Sequence, residues 1–390
     1  MTNVADLIQK IAEIGQEHPS SPQLAEIEIF ANFFLPNGRL DDRSLDKTDG
    51  TNISRRELLT RFLLLNAVID QGPDIVGVRK MLVNVTNEMY HYEIRFLHRP
   101  LAFFQEIGIA IDQILTQHQS IKALRAEAWA QENRSQPSRY NLFMDNSKQA
   151  LNYAVFRWGV PLALPLLLEK DLGKNKSTSP LLDYLETYPS AERMTTALKD
   201  HQRYGLGKAI GDKACHLFAK WMVSTFSITR RHDTSWGNYS FEVPYDSNAG
   251  RVLWRTGYLL HWASEEDYVK KQVIQKRQGK GGMDYLRVTN IRGMPTTLYL
   301  DADVKDAYCE ISVKHLATHK KKPTKFEIQR LQHPFLLLQK QTVAAFDDGL
   351  IYLGTNFCFN HAQPKCKECP LKDLCEGHMS SPHLIQNYRT

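Results

Sequence analysis

Long apolar runs are scarce in this chain. The most extended, Gly159–Leu168 (GVPLALPLLL), carries two prolines and falls well short of the roughly 20 residues needed to span a bilayer. The first twenty residues, MTNVADLIQKIAEIGQEHPS, hold no uninterrupted apolar core of secretory length, because acids break the pattern. Membrane and secreted classes are set aside on these grounds, and a cytoplasmic location is expected. Cysteine is also sparse, six in 390 residues, which excludes a disulfide-built scaffold. No internal repeat and no low-complexity tract occurs. Strand signals are few; YSFEVPY (239–245) and MPTTLYLDADV (294–304) are the best of them. Excess charge of one sign is modest: a net +6 permits a polyanionic partner without requiring one.

What remains is an ordinary globular composition, 42% hydrophobic and 24% charged, in a chain long enough for two subdomains. Apolar residues spaced three and four apart predict helices over 4–16, 57–70, 101–117, 148–158, 181–200 and 208–226. Ser54, three residues before Glu57, has the spacing of a helix-capping pair, and Pro189-Ser190 marks another start. Polar loops are expected at 36–53, 132–147, 171–180, 229–240 and 275–295. Positive charge gathers around the glycines of QKRQGKGGMDYLRVTNIRG and in His319–Lys325, where solvated loops are the simplest account. The fold class expected is mainly α.

Four of the six cysteines stand together as Cys358, Cys366, Cys369 and Cys375, a C-x7-C-x2-C-x5-C spacing with Pro364 and Pro370 between them. So tight a group in a cysteine-poor chain predicts a metal centre. Zinc usually takes two close pairs separated by a dozen or more residues. A single continuous loop with outer ligands on either side of one close pair suits a 4Fe–4S cubane better, since each iron needs one thiolate. Cys215 and Cys309 are expected to be ordinary core thiols, and His361 and His378 surface residues.

The tail resembles that of the endonuclease III-like branch of the helix-hairpin-helix DNA glycosylases, which end in C-x6-C-x2-C-x5-C; the first interval here is one residue longer. Three further stretches resemble the same family in the same order. Phe62–Asp74 ends in a Q-x-x-D step at Gln71. Tyr204–Ala219 holds a glycine hairpin opening a helix, in one of two frames: Gly205-Leu206-Gly207, or Ala209-Ile210-Gly211 with Lys213 two residues beyond. Val243–Leu253 places Asp246 at a helix start. Capping alone would account for a lone Asp-Ser, and a helix ending at Gly-Pro would account for Gln71.

The resemblance implies two helical subdomains and a cluster loop: an extension over 1–54, a subdomain over 55–235 with the hairpin at about 200–226, and a second over 236–390 carrying Asp246 and the cysteines. It implies double-stranded DNA as partner, a monomer, and a structural 4Fe–4S cluster on Cys358, Cys366, Cys369 and Cys375. Asp246 is then the catalytic anion, stabilising positive charge on the sugar as a flipped base leaves. Lys213, in the second frame, is the amine of a lyase branch; a water-using enzyme is the other option. Gln71 is expected to wedge into the duplex, with Gly205, Gly207, Lys208, Gly211 and Arg251 meeting DNA. Trp236 and Tyr239, near Arg230 and Arg231, lie in an inserted loop expected to touch substrate. The chain's insertions suit a bulky target such as glucosylated hydroxymethylcytosine of phage DNA. Two alternatives stay open: a base-hypermodifying enzyme similar to the glutamyl and putrescinyl thymine pyrophosphorylases, and a non-catalytic iron–sulfur DNA-binding protein.

Overall fold

The computed structural model describes residues 4–48, 51–70, 75–118, 120–121, 155–173, 177–233, 236–237, 243–244, 246–257, 274–278, 284–288, 342–359 and 363–380. The chain divides into two compact units. One comprises Met1–Ser20, Ser190–Glu192 and His232–Thr390; the other comprises Ser21–Pro189 and Arg193–Arg231. The expected extension over 1–54 is therefore split: its first helix belongs with the cysteine-bearing unit and the rest with the hairpin-bearing unit.

The hairpin-bearing unit is built around α2 (Arg55–Ile69), buried from Arg56 to Ile69 with Arg56, Glu57, Arg61 and Asn66 among its buried residues. A helix with no exposed face is covered all round, and its polar groups need partners there. Around it follow α3 (Ile75–His91), α4 (Pro100–Glu106), α5 (Ile111–His118), α6 (Val160–Leu172), α7 (Pro180–Glu186), α8 (Ala191–Asp200) and α9 (Asp212–Ala219). Helices α6, α7 and α9 pack directly on α2. The apolar, proline-bearing run noted in the sequence becomes α6, and it is nearly all buried.

Ser54 caps α2 as its spacing predicts, accepting the Glu57 N–H at 3.1 Å. Glu57 does not reciprocate. Its carboxylate accepts the N–H groups of Leu181 and Leu182 at 3.0 Å each, capping α7 instead, and pairs with Arg61 Nε at 2.8 Å. Glu57 and Arg61 are fully buried, and their charges are met by each other, by the Leu181 and Leu182 N–H groups on Glu57, and by Glu169 and the carbonyl of Leu97 on Arg61.

The cysteine-bearing unit pairs α1 (Val4–Glu17) with α11 (Val343–Asn356), and α11 with α10 (Ser247–Arg255); a short α12 (Glu376–Met379) follows the last cysteine. Helices α1 and α11 cross at Gly15 and Gly349, where a Cβ on Gly15 would overlap Ala345 O and one on Gly349 would overlap Ile11 O. Only glycine permits that approach. His18 stacks on Tyr352 beside it, ring centroids 3.7 Å apart.

Several expectations are corrected. The 101–117 and 181–200 helices each break into two, and 208–226 is a short 3₁₀ turn, then α9, then a wide turn over Lys220–Thr225. Within the expected loop 275–295 lie two antiparallel strands, β1 (Ile274–Gln278) and β2 (Asp284–Val288), Ile274 opposite Val288. The strand expected at 294–304, and most of that at 239–245, lie outside the described residues. The protein is mainly helical. Among the described residues no helix is long and apolar enough to cross a membrane.

Candidate functional site

The four cysteines line one small cavity of about 30 Å³; Val252 and Arg255 of α10, Thr256 just beyond it, Leu353 of α11, and Leu371 complete its apolar and basic walls. Successive tight turns bring them there. The Cys358 N–H bonds Leu353 O at 2.8 Å, Lys365 N bonds back to Phe357 O at 2.9 Å, Cys369 N bonds Cys366 O at 3.3 Å, and Lys372 N bonds Cys369 O at 3.0 Å. The C-x2-C step is thus one turn, as the spacing requires.

Helix α10 clamps this loop. Arg255 Nη1 stands 3.5 Å from Cys358 Sγ and donates to Phe359 O at 2.7 Å. Cys375 Sγ donates to the carbonyl of Arg255 at 3.3 Å, and Glu376 N bonds Thr256 O at 3.1 Å. Burial pushes the thiols up, Cys369 to about 11 and Cys375 to about 12, with Cys366 raised for the same reason. In this apolar setting the neighbouring thiolates add repulsion, which a bound cation would reverse. Lys365, Lys367 and Lys372 are exposed. Among the described residues no group of three His, Cys, Asp or Glu side chains is placed to hold a single ion.

Asp246 stands at the other end of α10. Its Oδ1 accepts the N–H groups of Asn248 at 2.8 Å and Ala249 at 3.0 Å, and its side chain is half-buried. This is an N-cap, with the carboxylate held by the positive end of the helix. One nine-residue helix therefore joins the candidate anion to the cysteine cavity.

Arg251 departs from expectation. It is 4% exposed and donates to Gly354 O at 3.0 Å, to Asn248 Oδ1 at 2.6 Å and to Cys358 O. It belongs to the clamp and not to a DNA-facing surface. Trp236 is corrected likewise: it is 1% exposed, a core residue. Arg230 is held by Asp183 and Glu186, and Arg231 donates to Glu186 O at 2.9 Å, completing the C-terminal end of α7. Tyr239 lies outside the described residues.

In the hairpin-bearing unit, α8 and α9 are joined by residues 201–211. Leu206 N bonds Leu198 O at 2.8 Å and folds the connection back on α8. Gly205 is buried where a Cβ would lie 2.6 Å from His201 N. Gly207 takes φ +58°, which a residue with a Cβ rarely adopts. Gly211 is exposed, opens α9, and has no neighbour within 4 Å of the place a Cβ would occupy. The helix opens at the second frame, and both glycines of the first frame shape the turn before it. Lys213 is half-buried in the first turn of α9.

The turn is pinned from outside. Asp171 of α6 holds Arg203 by two bonds of 2.6 Å and accepts from the Tyr204 hydroxyl at 2.8 Å. The Arg203 guanidinium keeps the Asp171 carboxyl below its ordinary value. Arg157 donates to Ala209 O at 3.1 Å. Gln71, His361, Cys309 and the Lys208 side chain lie outside what is described. Cys215 is a buried thiol, as expected.

No family model, no curated protein and no solved structure matches this chain.

Proposed function

We propose that this protein is a DNA glycosylase that extrudes one nucleotide from duplex DNA and cleaves its N-glycosidic bond, using a 4Fe–4S cluster on Cys358, Cys366, Cys369 and Cys375 as a structural element. The observation that carries the reading is the single helix with Asp246 at its start and the four-cysteine cavity at its end. The donor chemistry suits the group: four thiols border one space, and a cubane takes one thiolate for each iron. When bound, the cluster supplies a rigid cross-link between turns that have little other secondary structure.

The remaining chemistry belongs to the chain. Extrusion of a base costs a few kcal/mol of stacking, offset by backbone and pocket contacts. The exposed backbone at Gly211 and the first turn of α9 offer N–H groups to a phosphate. The exposed lysines of the cysteine loop offer positive charge to the DNA backbone. As the glycosidic bond lengthens, positive charge develops on the sugar, and the Asp246 carboxylate stabilises it by proximity. Water then completes the reaction at the sugar carbon. The target proposed is a bulky modified base, such as glucosylated hydroxymethylcytosine, on the strength of the chain's insertions.

The test is incubation with unmodified, damaged and phage-modified duplexes, followed by mass spectrometry of released bases. Release from one duplex, lost in Asp246→Asn with DNA binding retained, is expected. A modified base altered in place but never released would favour the base-hypermodifying alternative. No release and no alteration from any duplex would leave only a DNA-binding role.

A further inference from the structure

A continuous set of hydrogen bonds runs from Asp246 to the first cysteine. Asp246 Oδ1 accepts the backbone N–H of Asn248 at 2.8 Å. The Asn248 side-chain oxygen accepts from Arg251 Nη2 at 2.6 Å. The same guanidinium donates to Gly354 O at 3.0 Å and, through Nε, to the carbonyl of Cys358. Asn248 and Arg251 are one turn apart on α10, the spacing at which helical side chains meet. Asn248 is confined as well, since a Cβ on Gly354 would sit 2.7 Å from its own Cβ.

The residue types suit this path. Only a guanidinium presents several N–H donors in a fixed plane, so one side chain reaches the Cys358 carbonyl, the end of α11 and Asn248 together. Burial makes each bond specific, because a displaced donor would find no water. If the loop at Cys358 shifts, Arg251 loses one carbonyl and with it the geometry that holds Asn248. Asn248 lies in the first turn of α10, whose N–H groups hold the Asp246 carboxylate.

We propose that Asn248 and Arg251 are positioning residues that couple the order of the cysteine loop to the placement of the Asp246 carboxylate. The inference rests on the glycosylase reading and adds to it that loading of the cysteine site sets how strongly the protein holds a cationic sugar. Coupling between sites typically amounts to about 5- to 150-fold in affinity, and it is reciprocal. A cationic sugar held at Asp246 should therefore also slow the loss of iron from the cysteines.

The test needs no knowledge of the target base. Affinity is measured for a duplex bearing a pyrrolidine abasic analogue, which is cationic, and for one bearing neutral tetrahydrofuran. Iron release to a chelator is followed in the presence of each. The iron-loaded protein should prefer pyrrolidine, and Asp246→Asn should lose that preference. Asn248→Ala, with iron content and circular dichroism unchanged, should lose at least about fivefold of the preference while holding tetrahydrofuran as before. Wild-type protein stripped of iron should lose a similar factor, and pyrrolidine duplex should retard iron release in wild type more than in Asn248→Ala. Should Asn248→Ala fail to fold, Arg251→Lys carries the same comparison.

Full preference in the variants, or in the stripped protein, overturns the coupling while leaving the glycosylase reading intact. A wild-type protein that does not distinguish the two duplexes removes the reading and the coupling together.

Discussion

Arg255 meets Cys358 and its neighbour together, with Nη1 3.5 Å from the Cys358 sulfur and 2.7 Å from the carbonyl oxygen of Phe359. The side chain is 5% exposed. A charged donor in such a place contributes about 1.5–3 kcal/mol. With the proposed cluster bound, Arg255→Met should therefore keep its helix but release iron roughly tenfold to a hundredfold faster, since about 1.4 kcal/mol is a factor of ten. Iron content after timed dialysis against a chelator reads the effect, and unchanged retention would show the contact to be incidental.

The α1–α11 crossing has no space for a methyl group at either glycine. Gly349→Ala should cost about 1–3 kcal/mol by overpacking, and Gly15→Ala the same. Because the two act at one contact, the double variant should cost less than the sum. Thermal denaturation of the four proteins gives the cycle; additive losses would place the two glycines at independent contacts.

Glu57→Gln removes the only full charge that meets Arg61 in a fully buried setting and weakens the acceptor for the Leu181 and Leu182 N–H groups. A fully uncompensated buried charge costs about 3–5 kcal/mol, and the loss here should fall below that because Glu169 still meets Arg61. The urea midpoint should fall with the slope nearly unchanged. Glu169, which also meets Arg61 but is partly exposed, should matter less: Glu169→Gln is expected to cost under half as much.

The hairpin anchor has a pH signature. Arg203 depresses the Asp171 carboxyl in the folded protein, so the unfolded chain takes up the proton first as pH falls. The stabilisation is then complete above the unfolded value of about 3.9 and is lost as pH drops through the lower, folded value. The Tm difference between wild type and Asp171→Asn should be flat above about pH 5 and shrink steadily as the pH falls below that. A difference that grows on acidification would mean Asp171 is not the ionised partner.

Much of the candidate site is legible in the sequence where the signal is local. The cysteine spacing places one turn between Cys366 and Cys369; Ser54 caps its own helix; Asp246 sits at a helix start. Each of these depends on residues within a few positions. What the sequence hides is the identity of distant partners. Nothing near Arg251 tells a buried clamp on Cys358 from a surface cation, because the choice is made by carbonyls more than a hundred positions away. Trp236 is hidden for the same reason. Glu57 shows a capping spacing, and its side chain is drawn instead to Arg61 and to the bare N–H groups of α7. Gly15 and Gly349 look like interruptions of helical periodicity, and they are the contact itself.

That contact orders events in time. Helix α1 is made before the surface it fits, which is carried by α11 on the far side of all the other long helices described. Until then the apolar stripe of α1 lacks its α11 partner, and joining the two closes a very long loop. The cysteines follow α11 immediately, so the strand of chain that would receive iron is completed only as this clasp shuts. Assembly of the cysteine-bearing unit thus waits on α11, whereas every described helix of the hairpin-bearing unit is made before it.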